Sequence, residues 1–465
     1  MKKVKIILLC MLLIFSTTTA FAKSKVKNKH EKNTDNKIEY LNLNWWNKFE
    51  DPILTDYMLK AYQHNHDLKI ASLKVQQGQQ IVKQSLSQEL PSIQFSGNFA
   101  RTFRSSDTYF GDMFIPNYNQ SNFLLPLTMN YELDLWGQNH LRTKSTKQKL
   151  EMLKQDERAT YIGLTSALAA NYYNLVKLNK LIEVQKELID TQKTVLSMTE
   201  KKYKSGLCPI TELIDEQKRL KYFEEDLNSL EEKQDVVKNQ LSVYLAQKNS
   251  DNIQTIAYED IKLIETPANI KSELIQNRPD MLKAEQNLKR VGIDVKIARR
   301  NFLPKIIIFG QIGFNAYQWK NIFSNPAFLS NAGVAPVFDL FSGGRKLAYL
   351  KFKKYELEEA SQNYEKTILT SMQEINDSLV SAKTANKNYQ NSTERLKLEN
   401  EKFDLMDKKL NIGAASKLDR LKYQQIILMT QQEDISNKIN CLLSAIELYK
   451  AVGGKNLYDI EPEYI

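Results

Sequence analysis

The chain has 465 residues, with 65 Lys and Arg against 55 Asp and Glu, a formal net charge of +10, 42% hydrophobic residues and three cysteines. Only Cys208 and Cys441 lie beyond the first segment, too few for a disulfide framework in so long a chain, so packing must hold the fold. After the first apolar run, charges interrupt every stretch well before the roughly eighteen apolar residues of a spanning helix, which leaves strands as the route into a bilayer.

The N-terminal "MKKVKIILLCMLLIFSTTTAFAK" has a basic start, an apolar run from Ile6 to Phe15, and Ala20-Phe21-Ala22 as a cleavage site. Residues 1–22 read as a secretory signal peptide. Cys10 sits inside the apolar run after Leu9, where lipid attachment needs a small residue, so lipidation is not expected. Residues 23–43, led by the basic "KSKVKNKHEKNTDNK", read as a disordered leader that cannot bury a core. Signal and leader together carry about seven of the positive charges, so the folded body is only mildly basic. Export argues against a nucleic-acid role.

Leu90-Pro91 opens the first strand: from Ser92 to Phe103, Ile93, Phe95, Gly97, Phe99 and Phe103 alternate with Ser92, Gln94, Ser96, Asn98 and Thr102. A second strand is carried by "LTMNYELDLWGQN", in which Leu127, Met129, Tyr131, Leu133 and Leu135 alternate with Thr128, Asn130, Glu132 and Asp134. It stops at Asp134-Leu135-Trp136-Gly137, where helix-forming residues take over. From there to Gly206 the one glycine is Gly163, and no proline occurs before Pro209. That spacing predicts a helix from about Asn139 to Ser205, on the order of 100 Å long. A third strand follows Leu303-Pro304, with Ile306, Ile308, Ile312 and Phe314 on one face, and a fourth spans Phe328 to Leu340. A second long helix follows, because Gly413 is the single glycine between Gly344 and Gly453.

The chain repeats itself. Asn65 to Phe99 aligns without a gap with Arg278 to Ile312, pairing Asp67 with Asp280, Ala71 with Ala284, Pro91 with Pro304 and Gly97 with Gly310. Asp134 then pairs with Asp339, Gly206 with Gly413 and Gln217 with Gln424. Residues 44–266 and 267–454 therefore read as tandem copies of one unit of helix, strand, loop, strand, long helix, break and helix, followed by a tail of residues 455–465. The strands are about ten to fourteen residues long, with aromatics near their ends (Phe103, Tyr109, Phe110, Trp136, Tyr317, Trp319, Phe328), as in tilted outer-membrane strands. Four strands cannot close alone, and lipid forbids an open edge, so they must close with copies from other chains into an oligomeric barrel.

Trp45-Trp46 with Asp51-Pro52, Tyr131-Glu132-Leu133-Asp134-Leu135-Trp136-Gly137, Arg278-Pro279-Asp280, Phe302-Leu303-Pro304 and Gly343-Gly344-Arg345 occur in this order on the duplicated plan. On these motifs the chain resembles TolC-type outer-membrane efflux channels, and most their NodT-like branch, although it lacks the lipid-attachment cysteine of many members. The resemblance implies an α+β membrane protein. A homotrimeric outer-membrane β-barrel, four strands per protomer, would continue into a long periplasmic α-helical barrel. It implies a passive duct for drugs or other small toxic compounds, opened by a periplasmic adaptor that links it to an inner-membrane pump of the RND type. A duct for type I protein secretion uses the same tunnel and stays open as an alternative. An exported coiled-coil structural protein is the alternative from another class, and it leaves the four strands unexplained.

No HExxH, P-loop or GxSxG is present, and neither an enzyme nor a cofactor is expected. His30, His64, His66 and His140 read as solvated surface, His64 and His66 lying on different faces of a helix, so no metal site is expected. Asp134, Trp136, Gly137 and Asp339, Phe341, Gly343 mark the two junctions of barrel and tunnel, the aromatic at the membrane interface and the acid capping the helix start. By resemblance, the breaks Gly206 to Gln217 and Gly413 to Gln425 form the periplasmic entrance and the adaptor contact. Their residues of interest are Gly206, Pro209, Thr211, Asp215, Gly413, Ser416, Leu418, Asp419 and Lys422. Relatives often carry an Asp where Lys422 stands; here Asp419 lies one turn earlier and Asp215 holds the equivalent place in the first repeat. Asp215, Asp419 and Lys422 are expected to set the closed state through contacts between protomers.

Overall fold

The computed structural model describes residues 45–104, 108–110, 113–115, 118–264, 267 and 276–454. The expected signal peptide, leader and tail, and the side chains of Tyr109 and Phe110, lie outside the described part. A short 3-10 turn, Trp45–Phe49, leads into helix α1, Pro52–His64. The Asp51 carboxylate accepts from the Ile53 and Leu54 amides, both at 2.9 Å, and Pro52 takes the first helical position, where an absent N–H loses no bond. Asn65 then turns extended and its side chain caps α2, His66–Ser87, by accepting from the Asp67 amide at 2.8 Å. His64 and His66 therefore belong to two helices, which corrects their placement on two faces of one.

The strands are β1 (Ser92–Phe95), β2 (Asn98–Arg104), β3 (Thr108–Phe110), β4 (Met113–Ile115) and β5 (Tyr118–Leu133). They are followed by α3 (Gln138–Lys204), α4 (Ile210–Tyr244) and α5 (Pro279–Arg300). The chain closes with β6 (Lys305–Ala316), β7 (Phe328–Val337), α6 (Arg345–Asn411) and α7 (Lys417–Ala451). Helices α2 and α5 have 22 residues each, α3 and α6 have 67, and α4 and α7 have 35.

Two compact units form, and each draws on both halves of the sequence. Among the described residues, the first comprises 45–69, those within 158–278, and 371–454. Its core is aromatic and aliphatic: Leu54, Met58, Leu168, Tyr172, Tyr173, Leu241 and Leu442 are almost fully buried, and Trp45 stacks on Tyr449 with ring centroids 4.3 Å apart. Arg278 is buried with them, donating to the Ala451 carbonyl at the end of α7 and pairing with Glu374 at 2.5 Å. This arginine satisfies a helix-end carbonyl and carries its own counter-ion, which a buried cation requires.

The second unit comprises Ile70–Glu157 and Pro279–Thr370. It holds an antiparallel sheet in the order β1–β5–β6–β7, with β2 also paired to β5, and a separate β3–β4 hairpin. The expected strand from Ser92 to Phe103 is two pieces in one register, since Phe95 lies opposite Leu127 and Asn98 opposite Leu124. In the gap the Ser96 amide still donates to the Pro126 carbonyl at 3.1 Å, but Pro126 has no N–H to return the bond. β5 itself begins well before Leu127, running through Pro126 in the middle of the sheet, and β7 stops at Val337 rather than Leu340.

A central proline is unusual in a sheet. Here Pro126 is buried, with Gly313 directly opposite on β6, where a Cβ would stand 2.3 Å from the Leu125 carbonyl oxygen. Side chains alternate cleanly. Phe95, Leu127, Met129, Ile308, Ile312 and Val334 share one face, and Gln94, Thr128, Asn130, Gln311 and Asn331 share the other.

Candidate functional site

At the first strand-to-helix corner, Gly137 has φ +66°, a conformation that a side chain would strain. The Asp134 carboxylate accepts from the His140 amide at 2.9 Å and so caps α3 from outside its first turn. The Trp136 indole donates to the Pro304 carbonyl at 2.7 Å, and Arg300 donates to the Gly137 carbonyl at 2.7 Å, tying the corner to the end of α5. The second corner is built differently. Asp339 faces Lys346 at 3.2 Å and Arg345 at 3.9 Å instead of capping α6, while Gly343 and Gly344 make the turn with φ +57° and +79°. Phe341 is 89% exposed in the isolated chain.

The breaks between the long helices share one geometry. At the end of α3 the Gly206 amide donates to the Tyr203 carbonyl at 2.9 Å and the Leu207 amide to the Lys202 carbonyl at 2.8 Å. At the end of α6 the Gly413 amide donates to Leu410 at 3.0 Å and the Ala414 amide to Lys409 at 2.8 Å. This is the Schellman ending, in which a left-handed residue lets two amides reach back to orphan carbonyls. Gly206 and Gly413 have φ +69° and +75°, and a Cβ on either would meet nothing within 4 Å. Alanine at either position should therefore destabilise its turn by about 1–2 kcal/mol through backbone strain alone. Denaturant unfolding of each variant measures it, and asparagine, which tolerates this region, should lose less.

Each following helix starts in its own way. Pro209 occupies the N-cap of α4 without a side-chain bond, whereas Ser416 and Asp419 form a reciprocal capping box on α7, with the Asp419 amide 3.0 Å from the Ser416 hydroxyl. Asp419 is thus engaged within its own turn. Thr211 and Asp215 are exposed, Asp215 lying 3.7 Å from Lys218, and Leu418 is buried.

Lys422 pairs with Glu216 at 2.7 Å, and Glu216 is 4% exposed. Gln192 on α3 donates to both the carboxylate and the main-chain carbonyl of Glu216 at 2.9 Å, and Gln425 on α7 donates to Gln192 at 2.6 Å. One heptad away Gln185 donates to the Phe223 carbonyl at 2.8 Å and accepts from Gln432 at 2.7 Å. A polar ladder thus joins α3, α4 and α7. The second turn is also braced by Arg420, which pairs with Asp407 and lies 4.7 Å from the Phe403 ring centroid. Sequence reasoning missed Glu216, the glutamines and this brace. Their visible signal is the seven-residue spacing of Gln185 with Gln192, Glu216 with Phe223, and Gln425 with Gln432.

Burial pushes the Glu216 carboxyl up, but hydrogen bonds from Gln192 and Lys422 and the charges of Lys422 and Arg219 outweigh it and hold the group below the ordinary carboxylate range. Asp419 is held low by the side-chain and backbone bonds to Ser416. Both folded values lie below the unfolded ones, so the stabilisation is complete above the unfolded value and disappears as pH falls through the folded one. Acidification below about pH 4 should therefore loosen these turns. Limited proteolysis across pH checks this, and a Glu216→Gln variant should flatten the profile.

The sequence pattern described as "Outer membrane efflux protein" matches residues 59–247 and 270–454. The chain belongs to the outer membrane efflux protein family. Among its relatives, the pyoverdine export outer membrane protein OpmQ of Pseudomonas putida is 25% identical over 414 residues, covering 88% of this chain and 87% of OpmQ. The cation efflux system protein CusC of Escherichia coli O157:H7 is 22% identical, covering 89% of each chain. The Campylobacter jejuni CmeC outer membrane channel superposes with a TM-score of 0.81 at 23% identity, covering 89% of this chain and 88% of CmeC. This outer membrane efflux protein is the outer-membrane channel of an efflux system, which sets aside the exported coiled-coil reading. The strand-to-helix corners then belong to the second unit, which holds the sheet, and the paired turns to the first.

Proposed function

We propose that three copies close their sheets into one shared barrel that serves as a passive duct for drugs or other small toxic compounds. A periplasmic adaptor and an inner-membrane pump of the RND type engage the paired turns at Gly206–Gln217 and Gly413–Gln425. The observation that carries this reading is the sheet: Phe95 and Val334 are each 63% exposed on its apolar face, and among the described residues β7 pairs on one side only. In water that face and that edge are liabilities. In a bilayer the face meets lipid, and edges of successive copies complete the hydrogen bonding. Trp136 and Phe341 fit the lower interface, where amphipathic rings settle.

OpmQ is named for pyoverdine export, TtgC of Pseudomonas putida for toluene efflux and CusC for cation efflux, which frames the cargo question. The native mass of the protein extracted by detergent from outer membranes tests the assembly. A stable trimer is expected; a monomer, or recovery in the soluble periplasm, would overturn it. Sensitivity of a deletion strain to solvents, antibiotics and metal ions then identifies the cargo, with increased sensitivity to at least one small toxic compound expected.

A further inference from the structure

The polar face of the sheet has a chemistry of its own. One row across the strands reads Gln94, Thr128, Gln311 and Asn331, all uncharged hydrogen-bonding groups, with Asn331 donating to Gln311 at 3.4 Å. The next row holds Asn130, Phe309 and Gly333. Here an aromatic ring stands where a polar face would place an amide. A Cβ built on Gly333 would lie 2.7 Å from Phe309 Cζ and 3.1 Å from Cε1, so the ring fills the place of the missing side chain, lying along the wall with 38% of the residue exposed. Ile307, in the row beyond, extends the apolar patch. Across these three rows the one charged side chain is Glu132, and Lys305 neutralises it at 3.2 Å.

We infer that Phe309, with the amide row beside it, forms a weak contact site for neutral aromatic cargo on the inner wall of the barrel. The inference rests on the reading above, in which the polar face lines a shared lumen. Repeated in each copy, the site becomes a collar of rings and amides. A ring offers its face to the edge of another ring, and amides donate and accept without demanding charge. A bare ion finds no unpaired countercharge there and stays hydrated in mid-channel. Selection at this level is therefore by polarity and shape rather than by sign of charge.

Covering a glycine with a cross-strand ring also stabilises sheets, so the test separates the two roles. Full-length protein is inserted into planar phospholipid bilayers, and caffeine serves as the neutral aromatic probe with sucrose as the non-aromatic control. Caffeine should add current noise to the open channel. Phe309→Leu keeps an apolar cover on Gly333 and should cut that noise about threefold, leaving conductance in KCl and the response to sucrose unchanged. Gln311→Leu, which leaves the ring in place, should lower it as well, and keeps the test decisive if Phe309→Leu does not assemble. Channels that form but respond to caffeine equally in wild type and variants overturn the contact site alone. Folded protein that extracts from outer membranes as a monomer overturns the shared barrel, and this inference with it.

Discussion

Replacing Gly313 with alanine is expected to abolish barrel assembly, leaving no detergent-stable oligomer in outer-membrane extracts. The added Cβ would stand 2.3 Å from the Leu125 carbonyl oxygen, 2.7 Å from Pro126 Cα and 3.0 Å from the Leu125 carbonyl carbon. All three are backbone atoms of the neighbouring strand, so no rotamer relieves the clash and β5 and β6 must separate. Overpacking costs about 1–3 kcal/mol even where surroundings can relax. In a bilayer the cost rises, because backbone groups freed from the ladder find no water, at several kcal/mol each. Gly310→Ala on the same strand is the control. Its Cβ would meet only Met129 Cε, at 3.9 Å, an ordinary contact, and the variant should assemble like the wild type. An assembled Gly313→Ala with unchanged heat resistance would show that the close approach at Pro126 does not govern pairing.

The same proline shows what the sequence hides. Glycine and proline punctuation is local, and it located the long helices well: about Asn139 to Ser205 was expected and Gln138–Lys204 is found. A proline inside a strand run follows the same logic and suggests an end at Pro126. What keeps Pro126 central is Gly313 on another strand, far away in sequence, and no local rule sees that pair. The corners teach a similar lesson. Asp134 and Asp339 are equivalent in the repeat, yet only Asp134 reaches a helix amide, because a single left-handed glycine precedes α3 while Gly343-Gly344 lengthens the second turn and offers Arg345 and Lys346 instead. In the paired turns, Gly206, Pro209, Gly413 and Ser416 lie between the helices, whereas Thr211, Asp215, Leu418, Asp419 and Lys422 stand inside α4 and α7. Their charges, however, are largely spent inside the chain: Asp419 on Ser416, and Lys422 on a glutamate that packing alone reveals.

Lys422→Met should have the largest effect of any charge substitution at these turns, destabilising the α3–α4–α7 seam by about 3 kcal/mol. Glu216 is 4% exposed, and without Lys422 its carboxylate keeps the Gln192 bond and the charge of Arg219 but no directly paired cation. Glu216→Gln alone should lose about 1 kcal/mol, since an amide can still meet Gln192 and leaves only the partly exposed Lys422 unpaired. The double variant should recover much of the lysine loss, giving a coupling energy above about 1 kcal/mol in unfolding of the detergent-solubilised protein. Asp419→Ala should lose about 1 kcal/mol as a helix cap, and Asp215→Asn under about 0.5 kcal/mol, because its pairing with Lys218 is solvent-exposed. If the turns are the closing element of the duct, opening frequency in single-channel recordings should rise in the same order, with Lys422→Met highest. Additive losses for Lys422→Met and Glu216→Gln would rule out the buried pair as the tie between α4 and α7. A Lys422→Met channel that is destabilised yet opens no more often would instead mean that the seam holds the helices together without closing the duct.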